Sequence, residues 1–411
     1  MQPYDSAEEA RFRAEARSWL EANARRPQRP AITPSAIVAE WPPEEEAARL
    51  AEAQSWQRRK FEAGWAGIAW PREFGGQNRT ILEQIIFDQE ESAFDVPHDA
   101  LAVGLGWCGP ALLFLGTDNQ RSRFLPPLLA GDEIWCQLFS EPGAGSDLAG
   151  LSTRAWRDGD EWVINGQKVW TTFAHRSDWG LCIARSDPAD GTGSPRHKGL
   201  TAFIVDMKAP GVAARPLRQM TGSANFNEVF LTEVRVPDEH RVGDVGEGWR
   251  VVITTFMFER TSVVSMGGSV AAAMQDLLTS RYGQGEENAS RGGMDLVHRD
   301  RWMRTWIGGR VLGFTNLRIL TALAQGRIPG PEGSLAKLAG TLLLSDLYDQ
   351  AIEILGAEGM LAGADAPAGG EWQDAFLGTP GLRIGGGTDQ IQRNIIAERI
   401  LGLPKDPIAV R

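Results

Sequence analysis

Residues 135–147, WCQLFSEPGAGSD, mark the point at which the chain passes from a helical to a β-type pattern. A strand-like run over 134–139 ends at Ser140 and is followed by a turn rich in glycine, serine and aspartate. Because glycine has no Cβ and tolerates positive φ, such a turn lets backbone amides approach a polar ligand closely. The same residues are compatible with a tight loop that binds nothing, so this stretch alone leaves both interpretations open.

A second motif, NGQKVWTT, follows at residues 165–172. EPGAGSD followed at this distance by NGQKVWTT resembles the acyl-CoA dehydrogenase family, and the resemblance covers nearly the whole chain with its motifs in the expected order. It implies an FAD-dependent enzyme that converts an acyl-CoA thioester to the 2,3-enoyl-CoA by α,β-dehydrogenation and passes the electrons to an electron-transfer flavoprotein. It also implies a homodimer or homotetramer, or a hetero-oligomer with a paralogous subunit.

The composition is typical of a soluble protein with more than one domain. At 411 residues the chain exceeds the size at which a single hydrophobic core stops growing. No apolar run approaches the roughly 20 residues that span a bilayer, and the N-terminus is acidic, unlike a signal peptide, so we expect a cytoplasmic protein. A formal net charge of −11 argues against nucleic acid as a partner, because phosphate binding needs clustered Lys and Arg.

Cysteine and histidine usage predicts no metal site. The five histidines are scattered, and the three cysteines lack the CxxC spacing of a zinc site or the number needed for a disulfide framework. We therefore expect packed thiols at Cys108, Cys136 and Cys182.

The hydrophobic pattern predicts an α+β fold that is mostly α-helical. It divides the chain into an N-terminal all-α domain over 1–133, a small β-barrel domain over 134–240 and a C-terminal four-helix bundle over 241–411.

Local signals refine this outline. Ser6 and Glu9 have the spacing of a capping box at the start of the first helix, and Asn165-Gly166 between two β-prone runs predicts a hairpin. The polar segment 362–381 is expected to connect two helices of the bundle. The four bundle helices are predicted at about 248–281, 295–326, 333–355 and 388–402.

The resemblance assigns the flavin contacts to the two motifs. Gln137, Phe139 and Ser140 match the segment at the edge of the flavin ring, although family members often have Tyr at the position of Gln137. The Trp170 indole is expected to pack on the ring and Thr172 to hydrogen-bond near flavin N5. A flat apolar face and donors at the electron-accepting edge are what hydride acceptance requires.

Ser146 matches the serine that contacts the pantetheine arm of the substrate in the family. The alternative is that its hydroxyl satisfies its own turn.

The base that removes the substrate α-proton is implied at Glu259. In many family members the base is a glutamate just before Gly-Thr near the C-terminus, but residues 384–393 read IGGGTDQIQR, and Gly386 stands at that position. Isovaleryl- and long-chain-type members carry the base on an earlier helix, in a Glu-Arg pair that matches Glu259 and Arg260. Arg260 is expected to structure the substrate site.

The helical phase of Glu259 supports this interpretation. A carboxylate on an apolar stripe is costly to bury, so its pKa is expected to rise toward a value suited to proton abstraction. The alternative is an ordinary acid near a helix N-terminus, paired with Arg304 or Arg310 from a neighbouring helix. The residues that share the stripe at three-, four- and seven-residue spacing are Val263, Met266, Val270 and Leu277.

Gly386 retains one implied role. Family members stabilise the enolate at the thioester oxygen with the flavin ribityl 2′-hydroxyl and a backbone N–H at this position, and glycine still supplies the N–H. Glycines 385–387 before a helix also suit phosphate, and Thr388 and Gln390 match family FAD contacts. The alternative for this loop is a flexible joint.

A further set of residues resembles the segment with which a neighbouring subunit touches the FAD pyrophosphate. Glu353 takes the place of a common Gln, and Gly356 and Ala357 keep the close backbone approach. Arg281 matches a phosphate contact on the adenine side, although RYGQG replaces the usual Arg-x-x-Phe-Gly.

Three classes of function remain open at this point. The first is an active acyl-CoA dehydrogenase. The second is a non-catalytic subunit that completes the FAD site of a paralogous chain, which the missing C-terminal glutamate favours. The third is an oxidase or another flavoenzyme on the same scaffold.

Overall fold

The computed structural model describes residues 5–27, 32, 43–97, 101–186, 196–262, 268–283, 294–325 and 330–405. They form two compact units, which we call the sheet unit (Val38–Gln84 and Val96–Glu259) and the helical unit (Met1–Ile37, Ile85–Asp95 and Arg260–Arg411). The division into three domains at 133/134 and 240/241 stays a prediction.

The order of elements along the chain confirms the predicted mostly helical α+β fold, with helices before and after a β-sheet. The helices are α1 (Ala7–Asn23), α2 (Pro43–Glu62), α3 (Ile81–Glu91), α4 (Gly109–Leu115), α5 (Asp118–Ala130), α6 (Gly248–Ser262), α7 (Gly268–Tyr282), α8 (Leu296–Ala324), α9 (Glu332–Leu355), α10 (Glu371–Ile384) and α11 (Asp389–Ile395). The strands are β1 (Trp135–Leu138), β2 (Arg154–Asp158), β3 (Glu161–Thr172), β4 (Trp179–Arg185), β5 (Leu200–Asp206), β6 (Val212–Leu217), β7 (Phe226–Pro237) and β8 (Arg241–Val242).

The sheet unit is built on one eight-stranded sheet with the order β6-β7-β3-β2-β4-β5-β8, in which β1 pairs with β4. The β1–β4 pair is parallel, whereas the long β3–β7 and β4–β5 pairs are antiparallel. Alternate residues of β4 enter two different apolar clusters: Leu181 and Ile183 join one, and Cys182 and Ala184 join the other. This period of two indicates that both faces of the sheet are covered.

The predicted hairpin at Asn165-Gly166 is wrong, because β3 runs through both residues and pairs with β7. The pairing register shifts between Ile164 and Gly166, and the Asn165 side-chain oxygen accepts the backbone N–H of Glu233 at 2.7 Å. A Cβ at Gly166 would lie 2.2 Å from Thr153 Oγ1. The glycine is therefore needed for close packing at a bulge, which the short-range turn signal does not distinguish from a hairpin.

The helical unit begins with the predicted capping box. The Glu9 backbone N–H donates to Ser6 Oγ at 3.3 Å, and the Ser6 N–H donates to Glu9 Oε2 at 2.6 Å. In the core of the same unit, the Tyr348 hydroxyl donates to the Ile32 carbonyl at 2.8 Å, and Trp372 belongs to the same apolar cluster.

One of the connections predicted between the bundle helices is wrong. Segment 362–381, predicted as a connection, contains much of α10, which has Pro380 in its interior and buries Trp372 and Thr379. Its glycines and proline obscured the helical pattern. The helix predicted at 248–281 is described as α6 and α7, with 263–267 outside the described residues, and the last helix passes into a π-type turn over Ile396–Ile400.

The predicted packed thiols are confirmed, since Cys108, Cys136 and Cys182 are free and buried. None of the helices in the described part of the chain has the length and apolarity needed to cross a membrane. Among the same residues, no group of His, Cys, Asp or Glu has the arrangement of a metal site.

Candidate active site

The two sequence motifs meet in the sheet unit, where the middle of β3 lies against the end of β1. The Val169 backbone N–H donates to the Ser140 carbonyl at 2.9 Å. The Lys168 ammonium donates to the Phe139 carbonyl at 3.0 Å. Phe139 is buried, and Gln137 and Ser140 are half-buried. Four of the residues expected at the flavin ring, Gln137, Phe139, Ser140 and Trp170, therefore lie on two neighbouring segments.

A buried ion pair, which the sequence did not reveal, joins the same two motifs. The Lys168 ammonium donates to Glu141 Oε1 at 2.9 Å, and the side chains are 0% and 3% exposed. Glu141 also accepts the backbone N–H groups of Ser152 at 2.6 Å and Thr153 at 2.9 Å. Burial raises the pKa of Glu141, but the Lys168 charge and these hydrogen bonds outweigh burial and lower the pKa to about 2.

Trp170 has a backbone conformation suited to presenting its side chain. Its φ of 60° lies in the left-handed region, which costs a non-glycine residue on the order of 1 kcal/mol. The indole is 61% exposed and makes an edge contact with Phe226 at 6.1 Å between ring centroids. A large apolar ring held in the open at such a cost provides a flat surface for a planar ligand. Thr172, two residues further on, is buried.

A second polar network, also missed from the sequence, holds the end of β3. The Asn227 side-chain amide donates to the Thr171 carbonyl at 3.0 Å, and its oxygen contacts His175 Nδ1 at 2.9 Å. His175 Nε2 lies 2.7 Å from Glu46 Oε1. The signal for this network, polar residues in an apolar strand and a histidine after it, is too weak to read without the fold.

The turn after β1 leaves open space beside its glycines. Glu141 and Ala144 close the turn through reciprocal backbone hydrogen bonds of 3.1 and 3.0 Å. A Cβ at Gly143 or Gly145 would meet no atom within 4 Å, and neither residue has positive φ. The described part of the chain therefore gives no internal reason for glycine here. Ser146 is exposed, as a ligand contact requires.

Glu259 lies near the end of α6, on the helix face that contacts Phe139 just after β1. Phe256, one helical turn earlier, contacts Phe139 at 5.9 Å between ring centroids, and residues three apart share a helix face. Burial, the neighbouring Cys136 and the Glu259 carboxylate together raise the pKa of the Cys108 thiol well above its ordinary value. Glu259 is half-buried. Its charge thus acts on the thiol that packs beneath β1.

The two arginines that the sequence offered as alternative partners of Glu259 make contacts within their own helix. Arg304 donates to Asp300 at 2.9 Å, and the Arg310 guanidinium lies over the Trp306 ring at 6.0 Å. The side chain of Arg260 lies outside the described residues. The same holds for Val263, Met266 and the side chain of Val270, so the predicted apolar stripe stays a prediction.

The glycine-rich loop before α11 is tied down in the helical unit. Gly386 and Gly387 have φ of 64° and 87°. The Gln392 amide donates to the Gly386 carbonyl at 2.7 Å, and the Lys337 ammonium donates to the Gly387 carbonyl at 2.7 Å. Thr388 caps the helix by accepting the Ile391 N–H at 3.3 Å. These bonds favour a fixed loop over a flexible joint. Gln390, on α11, is exposed.

The residues predicted to face a neighbouring subunit cluster at the end of α9. Arg281 lies 3.5 Å from Glu358, beside the turn that contains Gly356 (φ 60°) and Ala357. The Glu353 carboxylate accepts a hydrogen bond from Arg301 at 2.6 Å. Since a carboxylate repels phosphate, any contact of Glu353 with a pyrophosphate would have to use its backbone.

The residues of the sheet unit fit the flavin of FAD. The exposed Trp170 indole supplies a flat face, and Phe139, Ser140 and Thr172 lie on the same two joined segments. Glycines without an internal packing role lie in the adjoining turn. This donor and surface set matches an aromatic ring system with a polar edge.

Comparison with known proteins identifies the family. The models for the N-terminal, middle and C-terminal domains of acyl-CoA dehydrogenase match residues 6–132, 136–234 and 246–401. The chain is 37% identical over 403 residues to acyl-CoA dehydrogenase IpdE1 of Mycobacterium tuberculosis, covering 96% of this chain and 98% of that protein.

Solved structures agree with this assignment. The Tcur3481-Tcur3483 steroid ACAD matches with a TM-score of 0.78 and 27% identity over 99% of this chain and 100% of that chain. The ChsE4-ChsE5 complex from Mycobacterium tuberculosis matches with a TM-score of 0.77 and 28% identity over the same shares. The chain belongs to the acyl-CoA dehydrogenase family.

Proposed function

We propose that this chain is an FAD-dependent acyl-CoA dehydrogenase that converts an acyl-CoA thioester to the 2,3-enoyl-CoA, with Glu259 as the base and an electron-transfer flavoprotein as the electron acceptor. Family membership supports the reaction class. The position of the base is the part that depends on this chain's own residues.

The proposal rests mainly on the position of Glu259. It lies in the sheet unit, on the same face of α6 as Phe256, which contacts Phe139. Phe256 packs on Phe139, and Glu259 follows on the same side of α6. Phe258 contacts Phe114 at 5.5 Å, which ties the last described turns of this helix to α4. A half-buried carboxylate on this face of the helix is a group that can take a proton from a bound thioester.

In the proposed reaction, Glu259 takes the α-proton of the thioester. Trp170 and Thr172 would hold the flavin ring of FAD, which would supply the acceptor for the β-hydrogen and its electron pair. The Gly386 N–H donates to the thioester oxygen as negative charge develops there, and a backbone donor needs no side chain for this role. Trp170 orients the flat ring, and Ser146 binds the pantetheine arm.

The remaining cofactor contacts are proposals on the same basis. Gln137, Ser140 and Thr172 would contact the flavin ring edge. The FAD phosphates would contact Thr388 and Gln390, together with Arg281, Gly356, Ala357 and the backbone of Glu353 from a neighbouring subunit.

An exposed apolar face on α8 supports assembly with another subunit. Its members recur at three- and four-residue spacing, which places them on one side of the helix, and apolar patches of this kind mark interaction sites. They are Met303, Trp306, Ile307, Val311, Phe314 and Leu317, each 42–59% exposed. We propose a homodimer or homotetramer.

The acyl group is proposed to be bulky. The Tcur3481-Tcur3483 structure is named a steroid ACAD, and the match spans this whole chain. A steroid-derived side-chain thioester therefore belongs in the substrate panel beside straight and branched acyl-CoAs.

The test is made on the purified chain. It is expected to be yellow, to carry FAD and to bleach near 450 nm under anaerobic conditions with an acyl-CoA from the panel. Bleaching in air that recovers with release of hydrogen peroxide would indicate an oxidase instead.

A second candidate is a subunit that completes the FAD site of a paralogous chain. Gly386 in place of the usual acid favours it. The ChsE4-ChsE5 match is itself a complex of two named chains. A colourless chain that takes up FAD only when mixed with a paralogue would support this candidate over the first.

A further inference from the structure

The buried pair Lys168–Glu141 does more than fill the space between the two motifs. β1 ends at Leu138, where its ladder with β4 stops, so the Phe139 carbonyl lies beyond the strand pairing. Lys168 donates to that carbonyl at 3.0 Å. The next carbonyl, that of Ser140, accepts the Val169 N–H at 2.9 Å. Two successive residues of β3 therefore hold two successive carbonyls after β1.

Glu141 extends this connection to a third segment. Its Oε1 accepts Lys168 and the Thr153 N–H, and its Oε2 accepts both the N–H and the hydroxyl of Ser152 at 2.6 and 2.7 Å. An apolar pair of the same volume would fill this space without the cost of removing charges from water. Apolar side chains would not hold a carbonyl at a fixed place. The polar pair therefore fixes the position of the Phe139 carbonyl, which apolar packing alone would not do.

We propose that Lys168 and Glu141 are positioning residues that fix the Phe139–Ser140 backbone relative to Trp170, and thereby set the environment of the bound flavin. The proposal rests on the proposed function, because it requires that this chain bind FAD. Neither residue touches the reacting atoms. They act through Phe139, Ser140 and Trp170, which lie within two residues of them in the sequence.

The test compares three variants as loaded full-length proteins. Lys168→Met removes the donor to the Phe139 carbonyl. The double variant Lys168→Met with Glu141→Gln also removes the opposing charge, which keeps the fold testable if the single variant is unstable. Arg13→Met is the matched control, because Arg13 forms a buried pair with Glu90 at 3.0 Å in the helical unit.

The readouts are the FAD dissociation constant and the visible circular dichroism of the bound flavin, which a loss of stability alone would not move. We expect both Lys168 variants to weaken FAD binding by about tenfold, which corresponds to about 1.4 kcal/mol, and to change the flavin dichroism. Arg13→Met is expected to lower the unfolding temperature and leave both readouts unchanged.

Two outcomes would overturn the inference, and they are distinguishable. If the parent chain binds FAD and the double variant matches it in affinity and dichroism, the positioning role is wrong while the proposed function stands. If the parent chain binds no FAD, alone or with a paralogous chain, the proposed function fails and the inference with it.

Discussion

Two glycine-to-alanine substitutions separate packing from ligand contact in the sheet unit. Gly166 lies against Thr153: a Cβ would meet its Oγ1 at 2.2 Å, its Cβ at 2.7 Å and its Cα at 2.8 Å. Because the last of these is a backbone atom, Gly166→Ala must move the chain. At Gly145, by contrast, a Cβ meets nothing within 4 Å.

The expected magnitudes follow from these contacts. Overpacking of the kind that Gly166→Ala creates costs about 1–3 kcal/mol, and each kcal/mol lowers the unfolding temperature by roughly 2–4 °C in a domain of this size. Gly145→Ala is expected to be neutral or to stabilise the fold by about 0.4–1 kcal/mol, since it restricts the unfolded chain. If the thioester arm lies against this turn, the same methyl group weakens acyl-CoA binding by about tenfold, or about 1.4 kcal/mol.

The assay pairs thermal unfolding of each variant with titration of the acyl-CoA that the parent chain binds best. We predict opposite effects for the two variants. Gly145→Ala keeps the unfolding temperature of the parent and binds acyl-CoA more weakly, whereas Gly166→Ala unfolds at a lower temperature. Unchanged acyl-CoA affinity in Gly145→Ala would refute the assignment of the 141–147 turn to the ligand. A large drop in its unfolding temperature would refute the packing argument.

Three further predictions follow from the same contacts. Glu141 has a pKa of about 2 in the folded chain against an ordinary value of 4.5, so its stabilising effect is complete above about pH 4.5 and is lost as the pH falls toward 2, with about 1.4 kcal/mol lost by about pH 3.5. Urea titrations of the parent and of Glu141→Gln, at about pH 4.5 and about pH 3.5, should show a smaller loss of stability in the variant, and equal losses would contradict the prediction. Trp170→Ala should weaken FAD binding without lowering the unfolding temperature of the FAD-free chain, because the indole is 61% exposed; unchanged FAD affinity would remove Trp170 from the site. Gly386→Glu should destabilise the fold by about 1 kcal/mol, because φ of 64° strains a residue that has a Cβ; an unfolding temperature equal to that of the parent would contradict this.

The sequence predicted the outline of the fold because its periods are strong over long runs. The capping box at Ser6 depends on neighbouring residues in the sequence, and the structure confirms it. The Asn165-Gly166 hairpin failed for the opposite reason. Whether that pair forms a turn or a bulge depends on β7, about 60 residues away along the chain, which no local signal contains.

The candidate site was predictable only as far as its motifs. The residues expected at the flavin ring lie on two segments that the structure brings together at Ser140 and Val169. The groups that hold these segments, Lys168 with Glu141 and His175 with Asn227, are partners across 27 and 52 residues. Such pairs stay invisible until the sheet register is known. α10 was missed because Pro380 and the neighbouring glycines outweigh its helical pattern in a local reading.

The most direct test of the account is Glu259→Gln, examined as the FAD-loaded protein mixed anaerobically with its acyl-CoA substrate. The amide keeps the size of the side chain and removes its ability to take a proton. We predict that FAD content and acyl-CoA affinity match those of the parent chain and that bleaching at 450 nm is lost. Bleaching at the parental rate would contradict the assignment and place the base elsewhere.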